Sequence, residues 1–206
     1  MRPKCIYIAP AVADRDGVCK AQSAAGAGSL TINGALATGG VATLATPRHV
    51  SVYAAGDNSG VTFTVTGTDR MGDALTESIT GPNATTVKGE KNFATVTTVA
   101  VDAATTGNVE VGSADEFETQ WVPVDVYQSP PSYSVYRSSG ASMTHNVQYT
   151  LDAILTTNEH SVEVASVGEA NADQVGTFNE QAITAVRLAV TAFASGTANF
   201  RVVQST

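Results

Sequence analysis

Asp14-Arg15-Asp16-Gly17 is the first stretch whose residue types could do chemistry. Acids at alternate positions before a glycine open a calcium loop, where successive carboxylates converge on one cation. The later ligands and the closing glutamate do not follow. Asp and Gly also make tight turns through their own backbone chemistry, and that is the expected role of DRDG. The three histidines, His49, His145 and His160, are dispersed, and none stands four residues from another or beside a cysteine. Zinc needs a convergent His/Cys set, so no metal site is expected. His145 falls on the apolar face of its strand and reads as a satisfied core histidine. Asp115, Glu116 and Glu118 cluster. A carboxylate pair could serve glycoside hydrolysis as acid and base, whereas a clustered acidic loop reads more simply as solvated surface. No serine sits in a G-x-S-x-G elbow, and GDNSG (56–60) has turn composition. Asn83-Ala84-Thr85 is a formal glycosylation sequon. With no glycine-rich phosphate loop and no basic-aromatic stripe, the expectation is a non-enzyme with no catalytic residues, cofactor, metal or nucleic-acid partner.

The chain has 206 residues, 43% hydrophobic, with a net charge of −8. Ala and Val dominate the apolar share and Thr the hydroxyl share. Val and Thr are stiff at χ1 and pack well on a pleated surface, so composition favours β structure. An acidic body repels phosphate backbones. The charge is uneven: Arg2, Lys4, Arg15 and Lys20 lie in the first 20 residues, whereas every charged residue between Lys91 and Arg137 is acidic. The basic and acidic regions could attract each other, within one chain or between copies, or both could be solvated. No apolar run reaches the roughly 20 residues of a membrane span, so no membrane partner is expected. The first apolar stretch is short and interrupted by Pro, unlike a secretion signal, although Ala11-Val12-Ala13 offers small residues. Two cysteines, Cys5 and Cys19, are too few for a disulfide scaffold and read as a free pair.

The elements that would position such residues are short strands. Residues 1–28 end in AQSAAGAG, a linker composition, and are expected to form an extended arm. A β-sandwich module is expected over 29–122, a Pro-rich linker over 123–132, and a second β module over 133–206. Turn signals such as NG, TGG and TGTDRMGD separate the runs of the first module. In its clearest hairpin, VTFTVTGTDRMGDALTESITG, Val61, Phe63 and Val65 share one face with Leu75 and Ile79. The opposite face presents Thr62, Thr64 and Thr66 beside Thr76, Ser78 and Thr80. In the second module Met143, His145, Val147, Tyr149 and Leu151 alternate with polar residues. ITAVRLAVTAF and ANFRVV are expected to form a terminal hairpin about ASGTA, and NADQVGTFNEQA a helical turn. The expected fold is all-β: two antiparallel β-sandwich or jelly-roll-like modules preceded by an extended N-terminal arm.

GVTFTVTGTDRMGDALTESITGPNATTVKGEKNFATVTTVAVDAATTGNVEVG (60–112) resembles structural proteins of tailed bacteriophages. The shared features are a T-G-T-D turn, a T-E-x-I strand, F-x-x-V-x-x-V and a short V-x-V-G strand. The second block, with Y-S-V, N-V-Q-Y-T-L-D and V-R-L-x-V-T strands, is similar to small phage virion proteins. The resemblance implies a non-enzymatic virion component, assembled in the host cytoplasm. Its expected partners are other copies of itself and virion proteins, either portal, adaptor and tail or the major capsid protein. The expected place is the head–tail neck or tail, with capsid decoration as the alternative and a secreted carbohydrate-binding or surface-layer sandwich as a further one. The expected assembly arm is Arg2, Lys4, Ile6, Tyr7 and Ile8. The expected assembly face is Thr62, Thr64, Thr66, Thr76 and Thr80.

Overall fold

In the computed structural model the described residues are 3–152, 154, 163–180 and 182–204. Among them there is no helix, and antiparallel strand pairs build the sheets. The chain divides into two compact units, one of Ala13–Phe117 and the other of the residues through Val12 together with those from Glu118 onward.

The first unit holds two sheets. The larger is six-stranded, with β4 (Ala37–Thr38), β5 (Val41–Arg48), β10 (Phe93–Val101), β7 (Thr62–Thr68) and β8 (Ala74–Thr80) in that order, and β3 (Gly28–Ser29) paired to β10. The smaller runs β2 (Cys19–Gln22), β11 (Val109–Ser113), β6 (Val50–Ala54), β9 (Thr86–Lys88). Alternation sends Phe63 and Val65 from the first sheet, and Val52 and Val111 from the second, into one apolar core. Each such side chain removed from water contributes about 1.5–3 kcal/mol. The β7–β8 hairpin forms as its alternation predicts, with Phe63 opposite Ile79 and Thr66 opposite Thr76.

The second unit also holds two sheets. One runs β1 (Lys4–Ile8), β19 (Ala198–Val203), β14 (Ser132–Arg137), β17 (Gln174–Thr177). The other runs β12 (Phe117–Glu118, where the chain passes from the first unit into the second), β18 (Ala185–Ser195), β15 (Ser142–Thr150), β16 (Ala165–Ala170), with β13 (Val122–Pro123) also on β18. Tyr133 of β14 and Tyr149 of β15 both meet the Phe178 ring, at 5.0 and 5.3 Å between centroids. This aromatic cluster joins the inner faces of the two sheets.

Several expectations are corrected. Residues 1–28 are not a continuous arm. Lys4–Ile8 pairs with Val202–Ala198, and Pro10 and Ile8 are buried. Val18 and Cys19 lie fully buried in the core of the first unit. The AQSAAGAGS stretch (21–29) begins in strand β2, ends in strand β3 and is tied down between them by mutual hydrogen bonds between Ala24 and Thr105. The unit boundary falls at 117/118, ahead of the Pro-rich segment. That segment is a tethered loop, in which Gln204 accepts from Asp125 N at 2.9 Å and donates to Asp125 O and Ser129 O at 2.8 and 2.9 Å. One buried side-chain amide thus satisfies backbone groups that prolines leave without a ladder.

ITAVRLAVTAF and ANFRVV do not form a hairpin. β18 is flanked by β15 and by β12 and β13, and β19 by β1 and β14, so the chain crosses from one sheet to the other. Gly196, at φ +101°, turns this corner. Ser138 fastens it by donating its N–H to Thr197 O at 2.8 Å and accepting from Thr197 N at 3.0 Å. The expected helical turn in NADQVGTFNEQA is strand β17. A Cβ at Gly176 would lie 2.6 Å from the Tyr133 hydroxyl, so this glycine lets the strand close over the ring.

Candidate functional site

The outer face of the six-stranded sheet is the most regular surface feature. Period-two alternation places the apolar residues of β7 inward, and the threonines that remain align with their counterparts on neighbouring strands. Thr43, Thr95 and Thr68 form one cross-strand row, and Thr98, Thr66 and Thr76 a second. Ser29, Ala100, Thr64 and Ser78 form a third, and Thr62 and Thr80 a fourth. Rows lie about 6.8 Å apart along a strand and about 4.8 Å between strands. Thr68 and Thr95 hydroxyls meet at 2.8 Å, and those of Thr66 and Thr76 at 3.4 Å. No member of these rows is charged. Thr76, Ser78 and Thr80 are exposed and Thr62, Thr64 and Thr66 half-buried. All five expected face residues therefore share one surface.

Its margin at β8 is guarded. Glu77 lies on the same strand face as Leu75 and Ile79, directed between the sheets, and accepts from Glu90 N at 2.6 Å. A Cβ at Gly89 would sit 2.2 Å from Glu77 Oε2, so glycine makes room for the carboxylate. Lys91 Nζ donates to Thr76 O at 2.9 Å, capping an outward carbonyl of the edge. An inward charge and an edge lysine both oppose addition of a further strand.

The expected arm residues lie in the other unit. Lys4 and Tyr7 are exposed on β1, Ile6 is half-buried and Ile8 buried, whereas Arg2 lies outside the described residues. β1 is an edge strand, paired on one side by β19. The arm and the threonine face thus belong to different units.

The acidic cluster is engaged in ion pairs. Lys88 Nζ donates to Asp115 Oδ1 and Glu116 Oε1, both at 2.7 Å, and His49 Nδ1 lies 3.7 Å from Glu116 Oε2. Burial opposes the Lys88 charge, but the two carboxylates outweigh it and hold the ammonium above its usual range. Arg48, buried beneath, donates to Ala114 O at 3.2 Å and stands over the Phe117 ring. Two carboxylates held by one ammonium tie the 114–117 segment to β9. Arg15 meets Glu110 Oε2 at 2.5 Å and stacks over Tyr53 at 4.1 Å, one attraction between basic and acidic regions made within the chain.

Asp14 and Asp16 form a turn. Burial raises the Asp14 pKa, as does its side-chain contact with Asp16, and Asp14 N donates to Ser113 Oγ at 3.0 Å. Among the described residues no group of three or more His, Cys, Asp or Glu is placed to hold a metal. His160 lies outside the described residues. His145 is in the core as expected but is not satisfied: its ring is fully buried, and neither nitrogen has a hydrogen-bond partner. Strand alternation reveals its burial; the missing partners depend on tertiary neighbours and carry no local signal.

Cys5 and Cys19 are both free, the first exposed and the second buried. Burial pushes the Cys19 thiol up to about 12. A maleimide is expected to label one thiol per native chain, at Cys5, and the second only after unfolding. Peptide mapping of the labelled protein checks this.

No protein-family model matches the chain, and no curated protein does either.

Proposed function

We propose that the chain is a non-enzymatic structural component of a tailed-bacteriophage virion, built in several copies into the head–tail neck or tail. The observation that carries the reading is the uncharged hydroxyl face of the six-stranded sheet, spread over β5, β10, β7 and β8. Such a face offers neighbouring subunits many hydrogen-bonding groups with little desolvated charge, which suits repetitive packing. The resemblance of residues 60–112 to phage structural proteins supports it, since that stretch builds β7, β8 and β10. The exposed side of β1, with Lys4 and Tyr7, supplies a second contact. The partners are further copies and the portal, adaptor or tail proteins.

Copy number tests this directly. Quantitative mass spectrometry of purified particles is expected to give a small cyclic multiple, about a dozen copies per particle as for a sixfold-symmetric tail ring. Hundreds of copies would instead make it a shell decoration, and none would remove the virion reading. A second test addresses the face. Thr76→Lys with Thr80→Lys is expected to change stability by no more than about 0.5 kcal/mol, because both positions are exposed. Incorporation into particles is expected to fall at least tenfold, since like charges would then face each other between copies. Unchanged incorporation would take the face out of the assembly.

A further inference from the structure

We infer that His145 is an acid-operated release in the second unit: its protonation places an unpaired cation between the sheets, beside the arginine that straps them together.

The strap is Arg137, at the end of β14. Its backbone N–H donates to Asp173 Oδ1 at 2.9 Å, next to β17, and its guanidinium donates across to Met143 O of β15 at 3.1 Å. One residue therefore joins the β1-β19-β14-β17 sheet to the sheet containing β15. His145 lies two residues beyond Met143 on β15, fully buried, with both ring nitrogens unpartnered. Arg137 Nε and Gln174 Oε1 are likewise buried without a hydrogen-bond partner. The strand neighbours of His145, Val190 on β18 and Ala170 on β16, carry no charge. The charged groups acting on the ring are Arg137 from β14 and Asp173 from the turn before β17. Asp173 is about half-exposed and its Oδ1 already lies 3.9 Å from Arg137 Nε. It is a weak counter-ion for a second cation.

A neutral ring leaves one N–H without an acceptor, a smaller cost than that of a buried charge. A protonated ring adds a buried charge and a repulsion on Arg137, both strongly unfavourable. Burial, followed by Arg137, holds the folded ring's affinity for protons below the ordinary value. The unfolded ring takes up its proton near pH 6.5 and the folded ring at lower pH. The stability contributed by a neutral His145 is therefore fully present above about pH 6.5 and is lost as pH falls from there toward the folded value. One proton bound only on opening raises the opening constant about tenfold per pH unit in that window.

Hydrogen exchange on the full chain between pH 7.5 and 5, corrected for intrinsic exchange, tests the device. Opening of β14, β15 and β17 is expected to rise below pH 6.5 by up to about tenfold per pH unit, levelling where the folded ring itself titrates, while β7 and β10 of the first unit stay level. His145→Leu is expected to abolish that rise. The same rise in a folded His145→Leu chain, or no rise in the wild type, would overturn the inference. If His145→Leu does not fold, the wild-type ring resonance decides. A ring that stays neutral in the folded chain below pH 6.5 supports the release, and one that titrates at 6.5 while folded ends it.

Discussion

Replacing Gly112 with alanine is expected to destabilise the first unit by about 3–4 kcal/mol, a large part of a typical domain's total. A Cβ at this position in β11 would sit 1.9 Å from Asp14 O, 2.4 Å from Arg15 C and 2.5 Å from Arg15 O. All three are backbone atoms, so no side chain can swing aside. Overpacking alone costs about 1–3 kcal/mol. Moving the 14–15 backbone also strains Ser113 N→Asp14 O at 2.9 Å and Asp14 N→Ser113 Oγ at 3.0 Å, each worth about 1 kcal/mol. Gly26→Ala is the matched control. Nothing lies within 4 Å of its Cβ, so the change is expected to be within about 0.5 kcal/mol of neutral. Hydrogen exchange of β2 and β11 reads the difference, and equal protection in the two variants would show that the Asp14–Arg15 crossing does not support the unit.

That glycine marks the boundary of what local pattern reveals. Val-Thr alternation makes β7, β8 and β10 legible, because a half-buried strand carries its own period. The hydroxyl face follows from the same period, and strand pairing merely aligns its rows. Glu77 follows from it too: its parity with Leu75 and Ile79 already directs it between the sheets, though its charge suggests a surface residue. By contrast, Cys19–Gln22 is short and leads into small residues, so its composition matches a linker while Val18 and Cys19 are wholly buried. The force that orders it is non-local, through Val18 N→Val111 O at 3.0 Å and the close pass over Gly112.

The same distinction separates turns from topology. ASGTA is a tight turn by its residues, but a turn of that chemistry can close a hairpin or carry the chain to another sheet. Which one forms depends on the strands that already occupy both sides of β18 and β19. His145 divides in the same way. Its burial, the larger cause of its lowered proton affinity, is written in the alternation of β15, whereas the added repulsion comes from Arg137, which arrives from a different sheet.

Deleting residues 1–8 is expected to be the most damaging change in the second unit. β1 covers the edge of β19 with five residue pairs, Lys4–Ile8 against Val202–Ala198. Its removal exposes the N–H and C=O groups on that side of β19 and withdraws Ile8, 5% exposed, from the core. Loss of that side chain costs about 1.5–3 kcal/mol. Two or three unmade ladder bonds at about 1 kcal/mol each bring the total to roughly 4 kcal/mol. The single Trp of the chain, Trp121, belongs to this unit, so its fluorescence on urea titration reports the loss. An uncovered strand edge also templates self-association, and light scattering is expected to rise with concentration. A peptide of residues 1–8 added in trans is expected to restore both the midpoint and the monodispersity by refilling the edge. The deletion must stop short of residue 13, because extending it past Val18 and Cys19 would empty the core of the first unit and confound the two effects. A midpoint unmoved by the deletion would show that β1 decorates the sheet without holding it, leaving the strand free to pair with a neighbouring copy.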